Sequence, residues 1–145
     1  MSEISNLEDI VSQVRRDIVR MVHANNSGHP GGSLGCAEFL TVLYFKVMNH
    51  NNIFNMDGFK EDIFFLSNGH ISPVFYSILA RAGYFKVSEL STFRKIDSRL
   101  QGHPTPHEGL EGVRMASGSL GQGLSTAIGA ALSNYRKRIP HRQQW

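Results

Sequence analysis

Near the middle of the chain lies a short apolar run followed by a turn, Ile63-Phe64-Phe65-Leu66-Ser67-Asn68-Gly69-His70. An apolar run of this length, bounded by charges and by turn-forming residues, is typical of a buried strand of the parallel type. Apolar residues recur at helical spacing over 5–24, 37–48, 72–82 and 124–135, and a shorter helix is expected over 88–95. Helices that surround at least one buried strand indicate an α/β fold. We therefore predict helices packed around a partial parallel sheet.

Length and composition indicate one compact domain with a buried core. The chain has 145 residues, of which 41% are hydrophobic, and its 15 basic and 12 acidic residues give a net charge of +3. No basic stripe typical of nucleic-acid binding is present, and no apolar run reaches the roughly 20 residues of a membrane span. We therefore expect no nucleic-acid and no membrane partner.

The only cysteine is Cys36, so a disulfide framework is excluded. It lies in an apolar helical stretch, where a cysteine is more often a core residue than a nucleophile. Residues 1–9 lack the basic start and apolar segment of a signal peptide. These features predict a cytoplasmic protein.

Three histidines share one local context, because each follows a glycine in a predicted loop. They are His29, His70 and His103, and the first begins a stretch, residues 29–33, that is too rich in Gly and Pro to be expected in a regular element. Imidazole donates, accepts and carries protons near neutral pH, which suits the handling of sugar hydroxyls and carbonyls. The alternative is three unrelated turn histidines. The remaining four lack this context: His23, His50, His107 and His141.

Two further patterns bear on ligands. The single cysteine has no histidine at the short spacing of a zinc site, so a histidine-bound structural metal is not expected. The glycine-rich stretch Gly118–Gly123 opens a predicted helix and presents backbone N–H groups to an anion or a polar ring, although glycine at a helix start often only permits close packing.

Four ordered motifs together resemble the N-terminal region of the transketolase family. They are Ser-Gly-His-Pro-Gly-Gly-Ser-Leu-Gly at 27–35, Leu-Ser-Asn-Gly-His at 66–70, Arg-Leu-Gln-Gly-His-Pro at 99–104 and Gly-Ser-Leu-Gly-Gln-Gly at 118–123. The likeness covers roughly residues 5 to 134 and is greatest to the N-terminal subunit of split transketolases. It implies an incomplete thiamine-diphosphate-binding fold and transfer of a two-carbon ketol unit from a ketose phosphate to an aldose phosphate.

The resemblance also implies a role for each motif. It places His29 at the hydroxyls of the sugar and His103 at the C1 hydroxyl of the donor, and it places His70 beside the diphosphate of the cofactor. It places main-chain groups of the Gly-Ser-Leu stretch, Gly118, Ser119 and Leu120, at the aminopyrimidine ring. The implied partners are sugar phosphates, a C-terminal transketolase section or subunit, and a second protein surface in a homo- or hetero-oligomer.

The chain departs from the family after Asn134. Transketolases continue with an apolar strand that ends in Gly-Asp-Gly and holds Mg²⁺ or another divalent metal, whereas this chain has a basic segment containing Pro140 and no Gly-Asp-Gly. We therefore divide it into residues 1–134, the N-terminal part of the diphosphate-binding domain, and a divergent basic tail, residues 135–145. We expect a truncated form without metal ligands of its own, which is poorly stable and inactive in isolation.

Three alternatives stay open. Deoxyxylulose-phosphate synthase is a related thiamine-diphosphate enzyme, but its first motif typically has Leu where Pro30 stands, and its third region differs from residues 99–104. The second alternative is a non-catalytic fragment that docks on a C-terminal partner, and the third is a truncation product without function.

Overall fold

The computed structural model describes residues 3–138, and regular structure among them is helical. Five α-helices follow one another along the chain: α1 (Glu3–Asn25), α2 (Pro30–Gly35), α3 (Ala37–Val42), α4 (Ser72–Arg81) and α5 (Gln122–Arg138). A π turn over Leu43–Val47 continues α3, and short 3-10 turns lie at Gly69–Ile71, Val87–Thr92 and Pro106–Glu108. In this part of the chain, no helix is long and apolar enough to cross a membrane.

Helix α4 forms the centre of the molecule. Every residue from Ser72 to Ala80 is buried, because α1, α2 and α3 pack around this one helix. On α1, Val14, Ile18 and Met21 form the buried stripe predicted from the helical spacing of apolar residues. The helix predicted over 72–82 is confirmed, and Gly83 follows it with a φ of 90°, a left-handed conformation typical of a helix C-terminus.

A buried carboxylate joins α1 to α4. Asp17 is only 5% exposed, and its Oδ2 accepts hydrogen bonds from Ser77 Oγ at 2.8 Å and from Arg81 Nε at 2.7 Å. Two donors on a single oxygen compensate the cost of removing the charge from water. This polar contact therefore fixes the register between these two helices of the core.

The predicted strand at 63–66 is not formed. These residues have no regular secondary structure, and only Leu66 is fully buried, while Ile63 and Phe64 are half-buried. A strand needs a neighbouring strand to satisfy its backbone N–H and C=O groups, and the described residues 3–138 contain none. The partial parallel sheet is therefore not present here, and the α/β layer prediction is corrected to a helical arrangement for this part of the chain.

The loop expected at residues 29–33 is also wrong, because Pro30–Gly35 forms α2. Proline is favoured at the first position of a helix, where its missing N–H group needs no partner. Burial supplies the rest of the stabilisation: Ser33 is completely buried, and Gly32 lies so close to Ile71 that a Cβ atom there would be 2.8 Å from Ile71 Cγ2. Tertiary packing has overridden a local preference against helix.

The chain leaves apolar side chains on its surface. In the segment predicted to be a helix, 37–48, Phe39 and Val47 are exposed, so only one face packs on the core. Helix α5 carries a longer unpacked row, in which each side chain is more than half exposed: Leu124, Ile128, Leu132 and Tyr135.

Candidate functional site

His29 stands at the N-terminus of α2, directly after a sharp turn. Gly28 makes the turn with a φ of 132°, a conformation that side chains rarely adopt, and packs against Val22, where a Cβ atom would lie 2.9 Å from Cγ2. The imidazole of His29 is exposed. The turn therefore presents this side chain at the surface while the backbone beside it is held against α1.

His70 lies in the 3-10 turn before α4 and meets His29. The two imidazole rings are arranged edge to face, with centroids 5.2 Å apart. Gly69 brings the turn against the backbone of Ser117, because an added Cβ atom would lie 2.6 Å from the Ser117 carbonyl carbon and oxygen. Three segments distant in sequence therefore meet at one point.

His103 is held by backbone contacts of its neighbours. Ser72 Oγ donates to the carbonyl oxygen of Gly102 at 2.8 Å, and Tyr76 Oη donates to that of Gln101 at the same distance. The amide of Ser117 donates to the carbonyl oxygen of Pro104 at 3.1 Å. The segment that carries His103 is thus fixed on both sides, although the imidazole itself is exposed.

The surroundings of His103 lower its pKa below the ordinary histidine value. Partial loss of solvent on its packed side is the largest cause, followed by the positive charge of Arg94 and then by the imidazoles of His29 and His70. The packed side faces Gly118, where a Cβ atom would lie 3.4 Å from His103 Cδ2. The neutral imidazole, which can accept a proton, is therefore the favoured form in this site.

The Gly118–Gly123 stretch borders the site at His103. Its end is anchored to Ser67, whose Oγ accepts a hydrogen bond from the Gly121 amide at 3.1 Å. A Cβ atom at Gly123 would lie 2.6 Å from Ser67 Cα, so this glycine serves close packing. Gly118 and Ser119 are exposed, and Leu120 presents an apolar side chain that is 68% exposed.

One buried polar atom at this place has no partner among the described residues. Ser117 Oγ is inaccessible to solvent, makes no hydrogen bond, and lies between Gly69 and the exposed loop. Buried hydroxyls without partners are uncommon in folded proteins. Above it, the exposed loop backbone and the apolar Leu120 form a surface that fits a flat, partly polar ring.

Of the six residues predicted to touch substrate or cofactor, the structure brings together His29, His70, His103 and Gly118, and Ser119 and Leu120 follow Gly118 in the same exposed loop. Within residues 3–138, no group of three His, Cys, Asp or Glu side chains is arranged to hold a metal ion.

The other histidines and Cys36 lie elsewhere. His50 is packed in an aromatic cluster, stacked on Tyr84 with centroids 5.7 Å apart, and its Nε2 bonds the carbonyl oxygen of Tyr44 at 2.9 Å. His23 and His107 are exposed, and His141 lies outside the described residues. Cys36 is half-buried between α2 and α3 and packs against the core, in agreement with a packing role.

Sequence reasoning missed Arg94 and Ser117. Arg94 follows the 3-10 turn Val87–Thr92, adopts a left-handed φ of 58°, and reaches the site with its guanidinium. A single arginine after an aromatic residue has no recognisable pattern. Ser117 could have been suspected, because it directly precedes the glycine-rich stretch.

Comparison with known proteins places this chain in a family. Residues 7–143 match the family model described as transketolase, thiamine diphosphate binding domain. Transketolase from Mus musculus is 37% identical over 129 residues, which cover 89% of this chain and 20% of that protein. One of the subunits of the apulose-4-phosphate transketolase from Actinobacillus succinogenes is 40% identical over 129 residues, which cover 88% of this chain and 46% of that relative.

The fold agrees with the sequence comparison. The crystal structure of transketolase from Pichia stipitis in complex with sedoheptulose-7-phosphate superposes with a TM-score of 0.84 at 36% identity, over 90% of this chain and 19% of that one. The chain spans about a fifth of the length of the full transketolases that it matches.

Proposed function

The chain belongs to the transketolase family, and on that premise we propose that it forms the N-terminal section of a thiamine-diphosphate-dependent ketol-transfer site. The observation that carries the proposal is the meeting of His29 and His70 edge to face, with His103 packed on the Gly118 loop beside them. The reaction moves a two-carbon unit from a ketose phosphate to an aldose phosphate, as in the pentose phosphate pathway.

The histidines supply orientation and proton transfer at the sugar. His29, exposed at the start of α2, binds hydroxyls of the substrate, and His103 binds the C1 hydroxyl of the donor. The lowered pKa of His103 keeps its imidazole neutral, so it accepts a hydroxyl proton and returns it later in the cycle. General acid–base groups of this kind contribute about 10²–10⁴-fold to a rate.

The remaining residues hold the cofactor. His70 would lie beside the diphosphate, and main-chain groups of Gly118, Ser119 and Leu120 would bind the aminopyrimidine ring. Thiamine diphosphate supplies an electron sink for cleavage of the ketose carbon–carbon bond. Mg²⁺ or another divalent cation is held by the rest of the site, because the described residues offer no cluster of ligands for it.

A C-terminal transketolase section or subunit completes the site, and the exposed apolar row of α5 supports this part of the proposal. We divide the chain into residues 1–134, the diphosphate-binding part, and a basic tail over residues 135–145. The family match and α5 both extend past residue 134. The boundary therefore marks a change of composition and not the end of a helix or of the family match. We also propose that the protein forms an oligomer and works in the cytoplasm. A cysteine without a disulfide, Cys36, is typical of that reducing compartment.

The test is complementation. We expect no ketol transfer between xylulose-5-phosphate and ribose-5-phosphate by the purified chain. We expect transfer when the C-terminal section of a transketolase is added as a separate chain with thiamine diphosphate and Mg²⁺. His103→Ala should lower the restored rate on the order of 10²-fold, whereas His107→Ala, an exposed histidine of the same region outside the site, should not. Equal rates for the two variants would remove the proposed role of His103.

A second candidate is a fragment that binds a partner without catalysis. The specific observation in its favour is again α5, because each side chain of its apolar row is more than half exposed, as in a docking helix. Binding of the C-terminal section without any ketol transfer, in the presence of cofactor and metal, would favour this candidate. Loss of binding in Ile128→Lys, with the helical content of the chain unchanged, would identify α5 as the docking face.

A further inference from the structure

Arg94 is fixed in place by contacts of its own segment. Its amide donates to the carbonyl oxygen of Leu100 at 2.8 Å, and its guanidinium lies over the Phe93 ring, 5.5 Å from the centroid. Phe93 is completely buried and meets Tyr76 edge to face. The backbone of Arg94 has a φ of 58°, which a residue other than glycine adopts only where the surrounding structure stabilises it.

The guanidinium of Arg94 touches the segments that carry two of the site histidines. Its Nη1 donates to Ser27 Oγ at 2.7 Å, and Ser27 begins the turn that leads to His29. On its other side lies Gly102, where a Cβ atom would be 2.9 Å from the Arg94 Cζ and Nη2 atoms. Gly102 directly precedes His103, so one side chain bridges the supports of both histidines.

Among the described residues, no acidic group lines the cavity beside Arg94. Arg94 lines this cavity of about 610 Å³ together with Asn25, Ser27, Gln101, Gly102 and His103, and none of these residues is a carboxylate. Its Nε is buried without a hydrogen-bond partner among the described residues. An unpaired guanidinium beside an imidazole acts on it electrostatically over several ångströms.

We propose that Arg94 is a positioning residue of this site, which sets the separation between His29 and His103 through Ser27 and Gly102 and places a positive charge beside the His103 imidazole. This inference rests on the function proposed for His103. The charged or titratable groups that act on His103 are Arg94, His29 and His70, and the neighbouring stretch 117–121 contributes no charge. Each of the three lowers the pKa of His103, and Arg94 has the largest effect among them.

The pKa of His103 in the full chain, measured by NMR of labelled histidine, tests the proposal without substrate or cofactor. The NMR signal of His103 is assigned as the one that is missing from the spectrum of His103→Gln. In Arg94→Met, which removes the charge but keeps most of the side-chain length, we expect the pKa to rise by about half a unit or more. Arg94→Lys keeps the charge at this position and should leave the pKa near that of the unmodified chain.

Two outcomes would overturn the proposal: an unchanged or lower pKa in Arg94→Met, or the same rise in Arg94→Lys as in Arg94→Met. If Arg94→Met does not fold, the unmodified chain is titrated at low and at high salt. Screening of the guanidinium should then raise the pKa of His103, and a constant value would contradict the proposal. Failure here leaves the proposed function standing, since that depends on ketol transfer in the complemented protein.

Discussion

The imidazole rings of His29 and His70 meet edge to face with centroids 5.2 Å apart. Backbone packing produces this meeting, because Gly32 lies against Ile71, and Ser33 beside it is completely buried. The two rings are exposed or half-exposed, but the segments that carry them are part of the core. The site is therefore as rigid as the packing of α2 against α4.

Gly69→Ala tests the contact that brings the second histidine to the loop. An added Cβ atom would lie 2.5 Å from Ser117 Oγ and 2.6 Å from the Ser117 carbonyl group, so the backbone must shift. We expect a loss of about 1–3 kcal/mol in the free energy of unfolding, measured by urea denaturation.

Gly31→Ala is the matched control. A Cβ atom at this position of α2 meets no atom within 4 Å, and alanine is the better helix former. Its free energy of unfolding should stay within about 0.5 kcal/mol of the unmodified chain. Equal losses in the two variants would show that close packing at Gly69 is not what holds the turn.

Asp17→Ala tests the polar contact between α1 and α4. Removal of the carboxylate leaves Arg81 and Ser77 without their acceptor in a largely buried place. We expect a loss of about 3 kcal/mol in the free energy of unfolding. Arg20→Ala removes the outer ion pair with the same carboxylate, at 3.8 Å and with Arg20 72% exposed, and should cost less than about 0.5 kcal/mol. A similar cost for both changes would contradict the role given to the buried pair.

The lowered pKa of His103 predicts acid sensitivity. Because the folded state binds the proton less readily than the unfolded chain, this histidine destabilises the fold as the pH falls below its ordinary pKa of 6.5. At pH values well above 6.5, His103 is neutral in both states and does not change the free energy of unfolding. The free energy of unfolding should therefore decrease less in His103→Gln than in the unmodified chain between about pH 7.5 and about pH 5.5. A larger decrease in the variant would reverse the sign of the predicted effect.

Much of the helical core could be predicted from the sequence. The stripe of Val14, Ile18 and Met21 and the apolar helix after His70 have the period of a buried helix, and both are observed. The absence of a strand at 63–66 could not be predicted from the pattern of apolar residues, because a short apolar run looks the same in the sequence whether or not a partner strand is present. Helix α2 was missed because its stability comes from the packing of Ser33 and Gly32.

The residues of the site were accessible from the sequence because glycine precedes each of its histidines. The structure shows that these glycines serve different purposes. Gly28 makes a turn with positive φ, whereas Gly69 and Gly102 leave space for Ser117 and for the Arg94 guanidinium. Arg94 contacts Ser27, more than sixty positions earlier in the chain, and Gly102, about eight positions later. No sequence pattern relates residues at both of these separations.

The most direct test of the account is an NMR titration of the chain with thiamine diphosphate at millimolar concentration. Without metal ligands in the described residues, the affinity should be low, but the response should saturate. The amide signals of Gly118, Ser119 and Leu120 and the imidazole signal of His70 are predicted to shift together, while His50, packed between tyrosines, does not respond. No shift at these four residues, or a response centred elsewhere in the chain, would contradict the assignment of this site to the cofactor.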